Sequence, residues 1–413
     1  MDPDITTNEA SRICEDDEMR YVRCCAQTAV DGPIDTLVTF DYLNKGAANV
    51  IFKIEPWSEA PSTPPFLFVD PLRLQDPAHA ATLVDRQHLM GRVLRVPRGG
   101  PKHLTSLEII HGFEHAVRPL FLPGTYEMVA EAPMSRLASC TTITVQLNHD
   151  FSNHLMEHEA VLLLPDVMKR LYTRVEKGTF VNTLPRKCWG ILLPDMSPSQ
   201  GRSITLEIKP KWLVQSPNAP SEAARCRTCA MQVSIPKSRD TYICPLHLLH
   251  GDSTSLRPWA HTMVMRQLDS STSSSCEPPS RLVISSIIEG LLAYLTAGDG
   301  LDLLQHLSHL QNTLDPQGVL CRPQEGSGSL LFDHNLRLAM TLRDCSLFIK
   351  ISYNASGVID MTSKLGDLDF KSAEKLMDWR NKERQLLVEK SYTAAGGPKC
   401  WLGRVETIVE TQA

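Results

Sequence analysis

The stretch "ITLEIKPKW", residues 204–212, combines the pattern of a strand with a cluster of charges. Apolar and polar residues alternate along it, which is the period of a half-buried strand. The same alternation places Glu207, Lys209 and Lys211 on one face, and Pro210 limits how far the strand can stay paired. Two neighbouring ammonium groups repel each other unless a carboxylate or a bound anion compensates them. The stretch therefore predicts either a solvated strand end or a site for an anionic ligand.

The composition is that of an ordinary globular protein. The chain has 413 residues, of which 42% are hydrophobic and 22% charged, enough for two or three domains or one enzyme with two lobes. Its formal net charge is -5, so we expect no nucleic-acid partner. An anionic ligand would need a local cluster of basic side chains.

Targeting and redox features indicate a protein of the cell interior. The beginning of the chain, "MDPDITTNEASRICEDDEM", is acidic and lacks the apolar core of a signal peptide. No apolar run reaches ~18 residues, so no membrane span is predicted. Twelve cysteines without a secretory signal favour reduced thiols. We therefore expect an intracellular location, in the nucleus or the cytoplasm.

Hydrophobic periodicity predicts a mixture of strands and helices. Strands are predicted at 38–42, 50–54, 66–74, 188–199, 204–211, 345–354 and 357–361, and helices at 104–121, 281–298, 301–314 and 371–392. A strand-rich first part and a mixed second part indicate an α+β fold with two lobes. The predicted organisation is a partly flexible leader at 1–34, an N-lobe at 35–190, a C-lobe at 191–405 and a tail at 406–413.

The stretch "NKGAANV", residues 44–50, is a turn of small residues between two predicted strands. Such a turn lets backbone N–H groups approach a phosphate closely, although an ordinary hairpin turn has the same composition. The chain has no GxxxxGK[ST] motif and no HRD or DFG set. It is therefore neither a P-loop NTPase nor an ordinary protein kinase.

Two later stretches, "LRDCSLFIKI" and "GDLDFKSAEK", add carboxylates and further lysines. Asp344 precedes an apolar strand, and Asp367 is followed by Lys371 and Lys375, four residues apart on a predicted helix. Carboxylates hold Mg²⁺ best when substrate phosphates complete its shell, and lysines on the next helix face would bind a polyanion. The alternative is a charged surface helix with an acidic first turn.

These stretches occur in a characteristic order along the chain. The set "KGAAN", "GILLPDM", "EIKPKW", "RCRTCAM", "CPLHLLHG", "RDCS" and "DLDFK" resembles the inositol-pentakisphosphate 2-kinase family in its fungal form, from about residue 40 to 395. The ExKPK element is its most specific part. The resemblance implies a two-lobed kinase with an ATP cleft between the lobes. It also implies transfer of phosphate to the 2-hydroxyl of inositol 1,3,4,5,6-pentakisphosphate, which gives inositol hexakisphosphate (phytate).

The resemblance also implies roles for individual residues. Asp344 would lie beside the 2-hydroxyl as the base, and Asp367 would hold Mg²⁺ and ATP. The other implied ATP contacts are Gly46, Ala47, Ala48, Asn49, Pro194, Asp195, Met196, Glu207 and Lys209. The other implied substrate contacts, in the C-lobe, are Lys211, Arg281, Lys371, Lys375 and Trp379. We expect a monomer that acts on a small molecule and does not associate with a membrane.

The chain departs from the family pattern at several of these positions. Asp70 replaces a lysine of the family, Pro278 or Pro279 an asparagine, Trp379 a tyrosine and His247 an aspartate. Lys53 or Arg73 is a candidate substitute for the lysine, and Arg174 is a candidate nucleotide contact. These changes bear on rate and substrate range more than on the fold.

Four residues have the spacing of a zinc site. Cys226-x2-Cys229 and Cys244-x2-His247 are separated by fourteen residues, which fits tetrahedral zinc, with free thiols as the alternative. A zinc-binding interaction module without catalysis is therefore the alternative function, although a structural zinc inside a kinase satisfies both patterns.

A second metal motif, "HLMEH" at 154–158, matches the H-x-x-E-H pattern of an inverted zinc-protease helix. Such a helix would place His154 and His158 one turn apart with Glu157 as base. No third ligand follows at a recognisable spacing, so a protease is disfavoured.

Overall fold

The computed structural model of the protein contains both strands and helices. It describes residues 21–27, 34–58, 64–70, 82–99, 103–131, 140–176, 179–180, 188–234, 241–271, 278–321 and 329–403. The strands are β1 Tyr21–Ala26, β2 Val38–Lys45, β3 Asn49–Pro56, β4 Phe66–Asp70, β5 Thr82–Leu83, β6 Arg92–Pro97, β7 Gly124–Glu131, β8 Cys140–Leu147, β9 Glu159–Leu163, β10 Cys188–Pro194, β11 Ser203–Ile208, β12 Ser346–Asn354 and β13 Gly357–Gly366.

The helices are concentrated in the second half of the chain. They are α1 Arg86–Leu89, α2 Ser106–Gly112, α3 Pro165–Thr173, α4 Arg227–Ser234, α5 Pro245–His250, α6 Ser253–Ser271, α7 Arg281–Ala297, α8 Asp299–Leu314, α9 Ser329–Leu342 and α10 Leu376–Val388. Together with the strands they confirm the predicted α+β class.

The chain forms two compact units. The first contains residues 1–110 and 157–195, and the second contains 111–156 and 196–413. The lobe boundaries read from the sequence stay predictions. Most of the predicted leader and the whole tail lie outside the described residues, but Tyr21–Ala26 forms strand β1.

The first unit is built on an eight-stranded sheet in the order β1-β9-β10-β6-β3-β2-β4-β5. A further pairing of β1 with β4 closes the sheet on itself. Strands β2 and β3 form the predicted hairpin, and the alternation in β3 buries Val50, Phe52 and Ile54. These side chains, with Val167 and Leu171 of α3, belong to one apolar core. This hairpin carries the predicted glycine turn.

The second unit contains a three-stranded antiparallel sheet in the order β11-β12-β13 and the two-stranded pair β7–β8. Helices α6, α7 and α8 supply much of its apolar core, together with inward residues such as Leu206 and Ile349. Among the described residues no single helix is long and apolar enough to cross a membrane; only the bent pair Arg281–Ala297 and Asp299–Cys321 passes such a test.

Several predicted elements have different bounds in the structure. The helix predicted at 104–121 is α2 followed by a π-helical turn, Phe113–Val117, and a 3₁₀ turn, Arg118–Phe121. The helix predicted from 371 begins only at Leu376, after a 3₁₀ turn. The strand predicted at 66–74 runs to Asp70, and the rest lies outside the described residues.

The H-x-x-E-H stretch does not form the helix that a protease site needs. A 3₁₀ turn ends at His154, Leu155 continues in extended conformation, and strand β9 begins at Glu159. The two histidines are therefore not one helical turn apart, and the protease hypothesis is wrong in this respect.

Candidate functional site

Three distant segments meet at one edge of the three-stranded sheet. The antiparallel registers pair Ile208 with Leu347 and Ser346 with Gly366. The end of β11, the start of β12 and the end of β13 are therefore neighbours. As a result the sheet brings together the stretches "EIKPK", "RDCS" and "GDLDFK", which lie more than a hundred residues apart at their extremes.

Asp344 lies between two lysines at this edge. The Nζ atom of Lys211 is 2.9 Å from its Oδ1, and the Nζ atom of Lys371 is 2.8 Å from its Oδ2. Burial alone would raise the pKa of Asp344, but the charges and hydrogen bonds of Lys371 and Lys211 outweigh it and lower the pKa to about 2. The carboxylate is therefore ionised at neutral pH.

Ser346 is the centre of a second charged group. Its Oγ is 2.7 Å from Nζ of Lys209 and 2.8 Å from a carboxylate oxygen of both Glu207 and Asp367. A hydroxyl has one proton, so Ser346 donates to one carboxylate at a time and accepts from Lys209. Burial lowers the pKa of Lys209, but Asp367 and Glu207 outweigh this and raise it.

The predicted common face of Glu207, Lys209 and Lys211 is only half correct. Lys209 lies 3.1 Å from Glu207, as the alternation predicts. Lys211 instead adopts a left-handed conformation, with φ of 58°, and turns to Asp344. The reason is that strand pairing ends at Ile208, so the alternation no longer governs the residues beyond Pro210.

Two residues of this site have a backbone conformation that side chains rarely adopt. Among the described residues other than glycine, positive φ occurs at Lys211, Asp367 and Lys390. Such conformations persist only where surrounding contacts hold them, and they are enriched at functional sites. Two of the three belong to the predicted ligand-binding set.

The charges of the site remain accessible to solvent. Side-chain exposure ranges from 23% at Lys371 to 55% at Asp367. Each lysine is paired with a carboxylate, so the charges of the site balance one another. Phosphate groups are stronger bidentate or charge-assisted partners for such cations, so the arrangement suits an incoming polyanion.

The glycine turn of the first unit is held by an arginine that the sequence analysis did not single out. The backbone closes through a 2.8 Å bond from Gly46 N to Asn49 O. Arg98 donates to the carbonyl oxygens of Gly46 and Ala47, both at 3.1 Å. Because these carbonyls are engaged, the turn has a defined conformation.

The predicted hinge follows strand β10 directly. Pro194 ends the strand, and Asp195 N donates to Gly91 O at 2.7 Å. The carbonyl of Met196 accepts from Thr205 Oγ1 at 2.6 Å. The division between the two units falls between Asp195 and Met196.

The sequence was then compared with known proteins. The family model for inositol-pentakisphosphate 2-kinase matches residues 42–385, most of the chain. The chain belongs to the inositol-pentakisphosphate 2-kinase family.

Two curated relatives carry the name inositol-pentakisphosphate 2-kinase. The protein of Yarrowia lipolytica is 31% identical over 202 residues, which is 48% of this chain and 57% of the relative. The protein of Debaryomyces hansenii is 23% identical over 354 residues, 73% of this chain and 84% of the relative. The match to the Yarrowia protein thus spans little more than half of its length.

Lys371 belongs to this cluster, whereas no described contact joins Lys375 or Arg281 to it. Lys371 precedes the helix, where its backbone is held by Thr341 and Arg337. Lys375 is exposed in the 3₁₀ turn, so the two lysines do not share one helix. Arg281 is exposed at the first position of α7, and no described contact joins it to Asp344.

Trp379 stands where the family has a tyrosine, and its ring is buried. It packs in an apolar cluster with Trp212, Leu336 and Met340. Core packing therefore accounts for its position, and a contact with substrate stays a prediction.

Lys53, a candidate substitute for the family's lysine, and Arg174, the candidate nucleotide contact, both have partners in the first unit. Lys53 forms an ion pair with Glu55. Arg174 donates to the Phe40 carbonyl and lies 5.5 Å over the ring of Phe66, which assigns it to the fold of the first unit.

Asp70 ends strand β4, and Arg73 lies outside the described residues. Pro278 lies just before the Ser280 cap of α7.

Four cysteine thiols converge in the second unit. The Sγ atoms of Cys226, Cys229, Cys244 and Cys400 lie within 4.8 Å of one another, and all four residues are buried. Two of the separations are 3.8 and 3.9 Å. A zinc tetrahedron with Zn–S of about 2.3 Å has S–S separations of about 3.8 Å. The donor set and its spacing therefore suit zinc.

The fourth member of this group corrects the sequence prediction. His247 does not join the thiols; its Nε2 lies 3.0 Å from Ser255 Oγ, and its ring stacks near Trp401. Cys400 takes the fourth place, because Arg225 holds the preceding segment through the carbonyls of Ala394 and Pro398. Cys400 lies 156 residues after Cys244, so no short spacing motif in the sequence indicates that the two thiols meet.

The lysine pair around Asp344 predicts a pH-dependent contribution to stability. The folded pKa of about 2 lies below the ordinary value of 3.8, so the contribution is present above about pH 4 and is lost as pH falls towards 2. Asp344→Asn should lower Tm at pH 7 by up to roughly 4 °C, since screening of a half-exposed pair limits the effect to about 1 kcal/mol. Thermal unfolding from pH 7 to pH 2 would measure the difference.

Asp378→Asn is the matched control, because its carboxylate is also half exposed but, among the described residues, forms an ion pair with one lysine, Lys382. We expect Asp378→Asn to lower the free energy of unfolding by only about 0.3–0.5 kcal/mol. Equal Tm values for Asp344→Asn and the unmodified protein across the whole range would contradict the role assigned to the two lysines.

Proposed function

We propose that the chain transfers the γ-phosphoryl group of ATP to the 2-hydroxyl of inositol 1,3,4,5,6-pentakisphosphate, giving inositol hexakisphosphate. Membership of the family supports the reaction class. The observation that carries the proposal is the convergence of Asp344, Asp367 and three lysines at one sheet edge. The two-lobed form with an ATP cleft stays a prediction.

The lysines account for binding of a polyanion by an acidic chain. Lys211 and Lys371 would engage phosphate groups of the inositol ring, and Lys209 would engage the nucleotide. In the structure Asp344 and Asp367 compensate these charges. Phosphate oxygens would take over this compensation, which keeps the site balanced in both states. Arg281, Lys375 and Trp379 stay candidate substrate contacts.

Asp344 is the proposed acceptor of the hydroxyl proton. Its pKa of about 2 makes it a weak base while both lysines hold it. Once phosphates draw Lys211 and Lys371 away, the burial that raises its pKa acts with less opposition. In the reaction the 2-hydroxyl oxygen bonds to the γ-phosphorus, the bond to ADP breaks, and the proton passes to the carboxylate.

Asp367 and its neighbours would bind the Mg²⁺ and ATP of the reaction. Asp367 and Glu207 offer the oxygen ligands that Mg²⁺ prefers, and Ser346 orients their carboxylates. A bound Mg²⁺ would neutralise charge on the transferring phosphoryl group. The turn Gly46–Asn49 would cover the ATP phosphates, and Pro194, Asp195 and Met196 would contact adenine.

We further propose that zinc binds the four thiols of Cys226, Cys229, Cys244 and Cys400. Buried thiols at this separation are the donor set of closed structural zinc sites. The cluster and the lysine–carboxylate edge occur in the same unit. Zinc is therefore a structural element of the proposed kinase, and the chain does not need a separate function as a zinc module.

An intracellular setting is also proposed, in the nucleus or the cytoplasm. Nine cysteines in the described part of the chain are free thiols. Reduced thiols are typical of that compartment. A monomeric state is proposed from the sequence alone.

The direct test is a kinase assay. Purified protein with Mg-ATP and inositol pentakisphosphate should give one inositol hexakisphosphate per ADP formed, because one phosphoryl group moves per turnover. Ion chromatography with phosphorus NMR would identify the product and the position that gains phosphate. Hydrolysis of ATP without a new inositol phosphate would contradict the proposal.

The two lysines of "EIKPK" should differ in their effects. Lys209→Met should mainly raise KM for ATP, and Lys211→Met should mainly raise KM for the inositol phosphate. Loss of a charge-assisted contact costs about 1.5–3 kcal/mol, or roughly ten- to a hundredfold in kcat/KM. Steady-state kinetics with each substrate varied in turn would measure the split.

Lys382→Met is the control for these variants, since Lys382 is a surface lysine in an ion pair on α10. It should change kcat/KM less than about twofold, as expected of a surface substitution. If neither Lys209→Met nor Lys211→Met differs from it, the site assignment fails.

The zinc proposal has its own measurement. Purified protein should carry about one equivalent of zinc, and Cys400→Ser should lose most of it and lower Tm by roughly 5 °C or more, because metal binding is coupled to folding. His247→Gln should keep the zinc. Elemental analysis and thermal melts would report both; zinc lost from the His247 variant but retained by Cys400→Ser would restore the original quartet.

A further inference from the structure

A side chain of helix α8 holds the backbone around Lys211 by hydrogen bonds. Gln311 lies in the last turn of that helix and is fully buried. Its Nε2 donates to the Lys211 carbonyl at 2.9 Å, and its Oε1 accepts from Leu213 N at 2.9 Å. One side-chain amide therefore holds the chain on both sides of Trp212.

This two-ended contact, the Gln311 brace, replaces strand pairing where that pairing has ended. The ladder between β11 and β12 stops at Ile208, and Pro210 has no N–H to donate. Lys211 then takes a left-handed conformation, which is unfavourable for a residue with a side chain unless it is held. Gln311 supplies the hydrogen bonds at this point of the chain.

Trp212 links the brace to the carboxylate side of the site. Its ring lies under the guanidinium of Arg343, whose Cζ is 3.5 Å from the ring centre, and under Arg227 at 4.3 Å. Arg343 immediately precedes Asp344. The ion pair between Lys211 and Asp344 is thus accompanied by a contact between their chain neighbours, Trp212 and Arg343.

We propose that Gln311 is a positioning residue for the inositol phosphate site: by holding the Lys211 backbone, it sets where the Lys211 ammonium meets a substrate phosphate beside Asp344. Gln311 acts through Lys211 and does not touch the substrate. The inference rests on the proposed function, and it adds a residue to which no local sequence motif points.

Gln311 is the right residue to change because it is uncharged. Arg343 and Asp315 form an ion pair in which both side chains are about 1% exposed, and removal of either partner leaves a buried charge that destabilises the fold broadly. Gln311→Met keeps the length and volume of the side chain and removes its three hydrogen bonds, which are those to the Lys211 carbonyl and Leu213 N and a longer one, 3.4 Å, to the Leu342 carbonyl. Gln311→Asn keeps the amide but draws it back by one methylene, so it is the milder second variant.

The expected result is a selective change in substrate use. Gln311→Met should raise KM for inositol pentakisphosphate by roughly ten- to a hundredfold, because displacement of a positioning group by about 1 Å has effects of this size. KM for ATP should change less than about twofold. Gln311→Asn should give an intermediate value.

A double-mutant cycle with Lys211→Met tests whether Gln311 acts through Lys211. In the Lys211→Met background, Gln311→Met should change kcat/KM by less than about twofold. Additive losses would overturn the proposal, as would an unchanged KM for the inositol phosphate in both Gln311 variants.

Asn218→Leu is the control for loss of a side-chain amide that joins two segments, here at a half-buried position. The Asn218 amide also joins two segments, by donating to Gln317 O at 3.2 Å and accepting from Leu320 N at 3.1 Å, but it does not contact residues 209–213 in the described structure. It should lower Tm and leave both KM values unchanged. If Gln311→Met behaves in the same way, its role is structural and the proposal is wrong.

Titration calorimetry with inositol hexakisphosphate separates this inference from the proposed function. If the unmodified protein binds the probe but transfers no phosphate, the kinase proposal fails, and a weaker Kd for Gln311→Met still supports the brace. If the unmodified protein turns over and the variants bind and react normally, only the brace fails. Absence of any binding would overturn both.

Discussion

The antiparallel pairing of β11, β12 and β13 is the constraint on which the candidate site depends. Because neighbouring strands run in opposite directions, the end of the first, the start of the second and the end of the third share one edge. At that edge lie Lys209, just after β11, Asp344, just before β12, Ser346, the first residue of β12, and Asp367, just after β13. A shift of register by one residue would turn Ser346 to the opposite face of the sheet.

Charge balance is the second feature of the site. The chain is acidic overall, so its field does not attract an anion, and binding must come from local groups. Lys209, Lys211 and Lys371 provide them, yet each is paired with a carboxylate. The pairs keep three cations close together without a ligand, and they hold Asp344 ionised. The same contacts that balance the charges of the site therefore set the protonation state of Asp344.

Buried polar contacts connect this exposed site to the rest of the second unit. Glu383 is fully buried and accepts from Arg227, Ser216 and Tyr392. Arg227 begins α4 directly after Cys226 and stacks on Trp212. The cysteine cluster and the segment that carries Lys211 are thus joined through one arginine. Such networks are rigid when every member has its partner, which suits a site whose lysines must be placed accurately.

The sequence by itself determined the α+β class, the β2–β3 hairpin and the existence of strand β11, though not its end at Ile208, because these follow from alternation and turn composition, which are local. Motif order also indicated the family. Only the tertiary structure decided that Lys211 leaves the strand face, because a left-handed backbone is set by distant contacts such as Gln311. It likewise placed Cys400 with cysteines more than 150 residues earlier. Sequence spacing indicates only which residues are close along the chain. Metal ligands such as Cys400 and positioning residues such as Gln311 depend instead on which residues are close in the fold.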